Sequence, residues 1–381
     1  MCPWLIVFWS LLVRAMLTGK AMTDNFDHGG NIFTIARSLG VEPEDILDFS
    51  ASINPLGLAE GVREAVFASF DRVLHYPDSD STELRQALAE FHGVDAEQIL
   101  VSNGSTELIY LVPRLVGKGR GLIVAPAFSE YAKALFRAGM EVHYLNLNPE
   151  NGFQFCPHEL ERTLAGGFEL MFFCNPGNPS GALVPLTLVR EVIDLCRAAG
   201  TFLVIDEAFM DFCEADSAKH LVIQDDQVMV LRSMTKFFAV PGMRVGYAVA
   251  SGELIRRLEY LRGPWSVNTP AQIACLASLR DAGHMQRTIR CVEEERAFLA
   301  GELERIGELR PYPSAVNYLL VRTGKSHSSG ELRKELLKRL ILIRDCSNFE
   351  GLDDRFFRVA VRKREENGKL LEALREIFSR S

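Results

Sequence analysis

Between residues 99 and 250, short apolar runs alternate with longer amphipathic stretches, the pattern of a mostly parallel sheet covered by helices. Seven runs read as strands: Ile99–Val101, Leu122–Ala125, Val142–Leu147, Leu170–Cys174, Phe202–Asp206, Val228–Ser233 and Val245–Ala250. Helical patterns fill the gaps, among them Leu108–Val116 and Leu186–Ala199, with Pro185 suited to a helix start. The stretch Ala271–Ile306, rich in Glu, Arg, Ala and Leu, reads as long helices. Beyond it Val316–Val321 and Phe357–Val361 look like strands, with helical patterns between and after them.

The predicted class is therefore α/β, a large domain with a seven-stranded sheet between helices and a smaller α+β domain. The expected divisions are an apolar extension over residues 1–21, a segment over 22–65 serving the small domain and substrate site, a large domain over 66–270, and a small domain over 271–381. There is no internal repeat or low-complexity linker, so the two domains should pack closely.

At 381 residues the chain exceeds one ordinary core, and 48% hydrophobic with 24% charged residues is the make-up of a soluble globular protein. A net charge of -8 argues against a nucleic-acid partner. The eight cysteines form no C-x-x-C pair, which speaks against a metal site or a secreted disulfide scaffold and fits a reducing cytoplasm. The run from Pro3 to Val13 is apolar like the centre of a signal peptide, but no basic residue precedes it and it is short for a bilayer span. Met16 and Met22 follow closely. A start assigned too early, with the functional chain beginning near Met22, is the expectation; a membrane-associated N-terminus is its rival.

The polar residues of interest fall at predicted strand ends, where open α/β sheets bind ligands. Asn103-Gly104-Ser105-Thr106-Glu107 opens a helix and offers free N–H groups to a phosphate, although on local evidence alone the plain cap by Ser105 is the preferred reading. The string Asn175-Pro176-Gly177-Asn178-Pro179-Ser180-Gly181 is a rigid turn. Asp206 closes an apolar strand and needs a cation or hydrogen-bond donors there, or else caps the next helix. Lys236, three residues after Ser233 and eight before Arg244, reads either as a surface lysine on a helix or as an amine that bonds a phosphorylated carbonyl cofactor, pyridoxal 5'-phosphate, provided it is partly desolvated or near other positive charge.

In this order the pieces resemble the aspartate-aminotransferase fold type (fold type I, class I/II) of pyridoxal phosphate enzymes, from about His28 to the C-terminus. The resemblance implies that Lys236 holds the cofactor covalently, Asp206 pairs with its pyridine nitrogen and Asn178 bonds its ring hydroxyl. It gives the cofactor phosphate to Gly104, Ser105, Thr106, Ser233 and Arg244, and the ring face to Phe128. Tyr76 resembles the tyrosine lent to a neighbouring subunit's phosphate site, which implies a homodimer. Where histidinol-phosphate aminotransferases commonly carry tyrosine, this chain has Phe209.

Fold type does not decide the reaction. His28-Gly29-Gly30-Asn31, the run from Asp48 to Gly57, Pro264-Trp265-Ser266-Val267-Asn268, the run from Ile341 to Cys346 and the run from Phe357 to Arg362 resemble the L-threonine O-3-phosphate decarboxylases of cobalamin biosynthesis. Histidinol-phosphate aminotransferase is the runner-up. The likeness implies Arg358 at the substrate carboxylate and Arg344 with His28 at its phosphate, with Asn54, Asn178 and Asn268 as polar neighbours. On local grounds alone the two arginines are surface charge at strand ends. A non-catalytic cofactor sensor in a transcription regulator would need a DNA-binding module, and the residues before His28 are too few and too apolar for one. No metal and no membrane partner are expected.

Overall fold

The structure, a computed structural model, describes residues 28–379, so the readings made on the apolar extension lie outside the described residues. After a short first strand, β1 (Leu47–Asp48), the chain enters the large sheet. Its strands are β2 (Ile99–Ser102), β3 (Arg120–Ala125), β4 (Glu141–Asn146), β5 (Leu170–Cys174), β6 (Phe202–Asp206), β7 (Val228–Ser233) and β8 (Gly246–Val249). They lie in the order β2-β8-β7-β6-β5-β3-β4. All pairs are parallel except those of β8, which runs antiparallel to β2 and β7. The seven strands stand where the apolar runs put them.

Helices cover both faces, and side-chain alternation decides which residue goes where. Val101, Val124, Phe173, Leu203 and Ile205 join one apolar cluster, while their neighbours Leu100, Ile123, Phe172 and Val204 join the other. Burial on both faces is why β5, β6 and β7 read as continuous apolar runs. The helix expected from Leu108 begins earlier, at Ser105, because Gly104 turns the chain at a φ of 71° and frees the next three residues to start the helix. The long helical stretch is two helices, Thr269–Leu279 and Ala282–Glu304, divided where the Asp281 side chain accepts the His284 N–H and caps the second.

The C-terminal part is built on an antiparallel sheet of β9 (Leu309–Pro311), β10 (Tyr318–Thr323), β12 (Arg344–Asp345) and β13 (Phe356–Ala360), in the order β12-β13-β10-β9. The intervening β11 (Ile341–Leu342) pairs in parallel with β1. Residues near the beginning of the chain are thereby stitched to its end: Ala360 N–H donates to Phe49 O, and Phe49 is buried with Leu319, Phe357 and Leu374. No helix among the described residues is long and apolar enough to cross a membrane.

Candidate active site

A cavity of about 410 Å³ opens at the carboxyl ends of β5, β6 and β7. Lys236 follows β7 in a one-turn helix, Met234–Phe237, and lines this cavity. Its ammonium is disfavoured by loss of water and by the nearby guanidinium groups of Arg358 and Arg244, which together bring the pKa down to about 8 against a smaller pull from Asp48. A useful fraction of neutral amine is therefore present near neutral pH, the condition a nucleophilic lysine requires.

Asp206, at the end of β6, is 3% exposed. Tyr131 Oη donates to its Oδ2 at 2.6 Å and the Ala208 N–H to its Oδ1 at 3.0 Å. Burial raises the Asp206 carboxyl in spite of these two donors. A cationic N–H placed against it would satisfy the carboxylate and reverse that shift. Tyr131 is itself fixed by stacking on Phe172, with centroids 4.8 Å apart and planes 5° from parallel.

A further set of donors lines the same cavity. Ser105 and Thr106, at the N-terminus of the helix Ser105–Val116, line it together with Ser233, Thr235 and Arg244, a set suited to an anion. Arg244 adopts a left-handed conformation, φ 58° and ψ 64°, uncommon outside glycine and characteristic of binding sites. Its guanidinium packs over Gly104, where a Cβ would stand 2.6 Å from Nη2, so the glycine is what admits the arginine.

The opposite wall comes from the beginning and end of the chain. Arg344 and Arg358 are register partners on β12 and β13 and are 8% and 7% exposed. Arg358 donates from Nη1 to Asn178 Oδ1 and from Nη2 to Ser50 O at 3.0 Å, with its guanidinium 4.9 Å from the Tyr318 ring centre. Arg344 donates to Asn348 Oδ1 at 2.8 Å. Two buried polar atoms of this wall, Arg358 Nε and Ser52 Oγ, have no hydrogen-bond partner among the described residues, a cost that a polar ligand would remove. His28 reaches the cavity mouth, its Nε2 2.8 Å from Glu130 Oε1 and its ring 5.4 Å from that of Phe128.

Of the residues expected at the site, Lys236, Ser105, Thr106, Phe128, Asn178, Asp206, Ser233, Arg244, His28, Arg344 and Arg358 line one cavity, with Phe209 beside them. Gly104 backs it through Arg244. Besides Gly104, three do not line it. Asn54 is buried behind the lysine loop, donating from Nδ2 to Phe237 O and to Thr288 Oγ1. Asn268 accepts the Ala271 N–H and caps a helix. Tyr76 is 80% exposed and stacks on Trp265 outside the cavity of its own chain. Conversely, Tyr131, Glu130, Thr235, Cys174, Asn348 and Phe349 line the cavity without having been assigned a role. Tyr131 and Glu130 were visible only as the end of Pro126-Ala127-Phe128-Ser129-Glu130-Tyr131, and Thr235 as a second hydroxyl beside Lys236.

A doubly covered sheet with a lysine, an aspartate and a phosphate cradle at its carboxyl edge defines the aminotransferase kind of α/β enzyme. The chain belongs to the aminotransferase class I and II family, whose model matches residues 44–374. It is 39% identical to the threonine-phosphate decarboxylase of Salmonella typhimurium over 93% of this chain and 97% of that one. To the histidinol-phosphate aminotransferase of Methanopyrus kandleri it is 31% identical, over 90% and 91% of the two chains. Among solved structures, L-threonine-O-3-phosphate decarboxylase from Porphyromonas gingivalis superposes with a TM-score of 0.76 at 27% identity, covering 87% of this chain and 99% of that one.

The donor set fits pyridoxal 5'-phosphate. Asp206 supplies a buried acceptor for a ring N–H and Asn178 a polar group for a ring oxygen. Phe128 offers an apolar face, and the Ser105, Thr106, Ser233 and Arg244 cluster has the donors and charge that a phosphate dianion requires.

Proposed function

We propose that the chain decarboxylates L-threonine O-3-phosphate to (R)-1-aminopropan-2-ol O-2-phosphate and carbon dioxide, a step of cobalamin biosynthesis, with pyridoxal 5'-phosphate held by Lys236. The observation that carries this reading is a cavity with more cationic groups than an amino acid and one cofactor phosphate need. Arg244 serves the cofactor side, while Arg344, Arg358 and His28 face it from the opposite wall. A substrate with a carboxylate and a phosphomonoester uses all of them. The threonine-phosphate decarboxylase likeness over 93% of the chain supports the same substrate.

When bound, the cofactor supplies an electron sink for the pair left behind as the carboxylate departs. Arg358 grips the carboxylate as a planar fork, and its tie to Asn178 fixes the angle at which it does so. Arg344 and His28 hold the phosphate at the other end, so the substrate is fixed at two points. The leaving bond is then the one to the carboxylate carbon. Lys236 Nζ carries the proton that replaces carbon dioxide at the α carbon. Phe209 packs edge-on against Tyr318 at 4.9 Å and offers no hydroxyl to the ring oxygen, leaving that contact to Asn178.

A homodimer is supported by Tyr76, which lies outside its own chain's cavity and stacks with Trp265 on the surface. In a homodimer this pair would reach the partner's cofactor phosphate. The cytoplasm is the compartment this reading requires, and the seven described cysteines are free thiols.

The second reading, transamination of histidinol phosphate, has its own support. The histidinol-phosphate aminotransferase of Clostridium acetobutylicum superposes with a TM-score of 0.82 at 28% identity, over 87% of this chain and 99% of that one. The purified protein with pyridoxal phosphate and L-threonine O-3-phosphate, and no keto acid, separates the two. Sustained carbon dioxide release is expected. Turnover that appears only with histidinol phosphate and 2-oxoglutarate would replace the decarboxylase by the aminotransferase.

A further inference from the structure

We propose that Glu130 is a positioning residue for phosphomonoester recognition, holding the His28 imidazole across the cavity mouth so that its second nitrogen can donate to the substrate phosphate. The inference rests on the reading that the substrate carries a phosphate.

His28 lies at the start of the described chain, on a segment tied down at few points. Gly30 N–H donates to Ser50 Oγ at 2.8 Å. Gly29 presses so closely on the same residue that a Cβ there would stand 2.1 Å from Ser50 O. These contacts place the backbone but leave the imidazole free to rotate. The ring is set by Phe128, in the loop before the helix Glu130–Arg137, and by Glu130, the first residue of that helix, at 5.4 and 2.8 Å.

Glu130 is built to remain an acceptor. Its side chain is 13% exposed, and burial alone would raise its carboxyl. Hydrogen bonds from His28, Lys133 and Tyr110 outweigh that effect and hold it at about 2. Oε1 takes the Lys133 ammonium at 2.6 Å together with His28, and Oε2 takes Tyr110 Oη at 2.6 Å.

The Glu130 carboxylate takes the hydrogen bond at Nε2, and an imidazolium has a second N–H, on Nδ1, left to donate to an anion. His28 Nδ1 has no partner among the described residues, and Arg344 and Arg358 line the same cavity. The Lys133 ammonium on Oε1 balances the Glu130 charge. The carboxylate therefore steers the imidazole without repelling a phosphate. A structural latch would need only the contact; recognition needs the charge, the proton and the free nitrogen together.

The test uses the full chain loaded with pyridoxal phosphate. In steady-state assays with L-threonine O-3-phosphate, Glu130→Gln is expected to raise KM about tenfold while kcat moves less than about threefold. Inorganic phosphate titrated calorimetrically into the loaded protein, where the cofactor's phosphate site is already filled, should bind correspondingly more weakly. Combined with His28→Ala, the substitution should add nothing, since its whole effect passes through the imidazole. Should Glu130→Gln fail to fold, Glu130→Asp, which keeps the charge but withdraws it by one methylene, is judged by the same KM and phosphate measurements. A fall in kcat at constant KM, equal affinity for inorganic phosphate, or full additivity with His28→Ala overturns the proposal. If the chain turns over only histidinol phosphate, the decarboxylase reading falls, and Glu130 is decided by the same KM split on that phosphomonoester. If it turns over neither, the phosphate titration decides.

Discussion

The wall of the cavity that carries Lys236, Asp206 and Asn178 stands on neighbouring strands of one sheet, β5, β6 and β7, whose residues are almost all buried. The facing wall, with His28, Arg344 and Arg358, is assembled from a segment near residue 50 and two short antiparallel strands some three hundred residues later. Its ties are Arg358 to Ser50 O, 308 residues apart, and Arg362 to Asp48 O, 314 apart. A close-packed sheet edge holds a catalytic constellation rigidly, whereas a wall of long-range contacts on short strands can yield and can be respecified by few changes. Under the proposed function the contrast is a division of labour, with one wall for the cofactor and the other for the substrate.

The largest expected effect tests the first wall. Lys236→Ala should lower kcat by at least about 10³-fold, because the covalent anchor and the proton carrier vanish together. The cofactor should still be retained on gel filtration through the Ser105, Thr106, Ser233 and Arg244 cradle. An active variant would remove Lys236 from the chemistry altogether.

Next come the two arginines, which the comparison assigns to different walls. Arg358→Met should lower kcat/KM by about 10²- to 10³-fold with cofactor affinity preserved, since an anion loses a partly buried charged partner. Arg244→Met should weaken the cofactor and leave KM for substrate nearly unchanged once cofactor saturates. Burial, with both guanidinium groups adding to it, brings the Lys236 amine down from 10.5 to about 8. The neutral amine is the reactive form, so uptake of pyridoxal phosphate by the apoprotein should rise about tenfold per pH unit below 8 and level off above it. Removing either positive neighbour favours the ammonium and moves this midpoint upward. A midpoint that stays at 8 in both variants would leave burial as the sole cause.

The first wall was the more legible in the sequence, and the reason is physical. A strand buried on both faces is a continuous apolar run, and in such a sheet the first polar residues after the run stand at the ligand edge. Asp206, Asn178 and Lys236 could be located that way. The second wall depends on register between distant strands and on which way a side chain turns, and neither is written locally. Arg344 and Arg358 came from family likeness. Tyr131 and Glu130 were passed over because their roles exist only through their hydrogen bonds to Asp206 and His28. Asn54 and Asn268 were drawn to the substrate by the same likeness, but their amides are engaged by backbone and helix contacts away from the cavity.

Asn54 shows how the two walls are joined, and it carries the smallest expected effect. Its backbone N–H donates to Lys236 O at 3.0 Å, and its Nδ2 donates to Phe237 O and Thr288 Oγ1, both at 2.8 Å. Its Oδ1 accepts the Leu56 N–H at 2.9 Å. One buried side chain thus pins the lysine loop to the N-terminal segment and to the long helix Ala282–Glu304. Truncating it in Asn54→Ala leaves a buried carbonyl and hydroxyl short of a donor and should cost about 1–3 kcal/mol, read as a lower denaturation midpoint of the loaded protein. The backbone bond to Lys236 survives, so KM should remain within about twofold and kcat should fall less than about tenfold. A side chain that touched substrate would behave in the opposite way, raising KM in a protein of unchanged stability. That outcome would return Asn54 to the substrate wall and dissolve the distinction drawn between the residues that bind and the residue that holds the two walls in register.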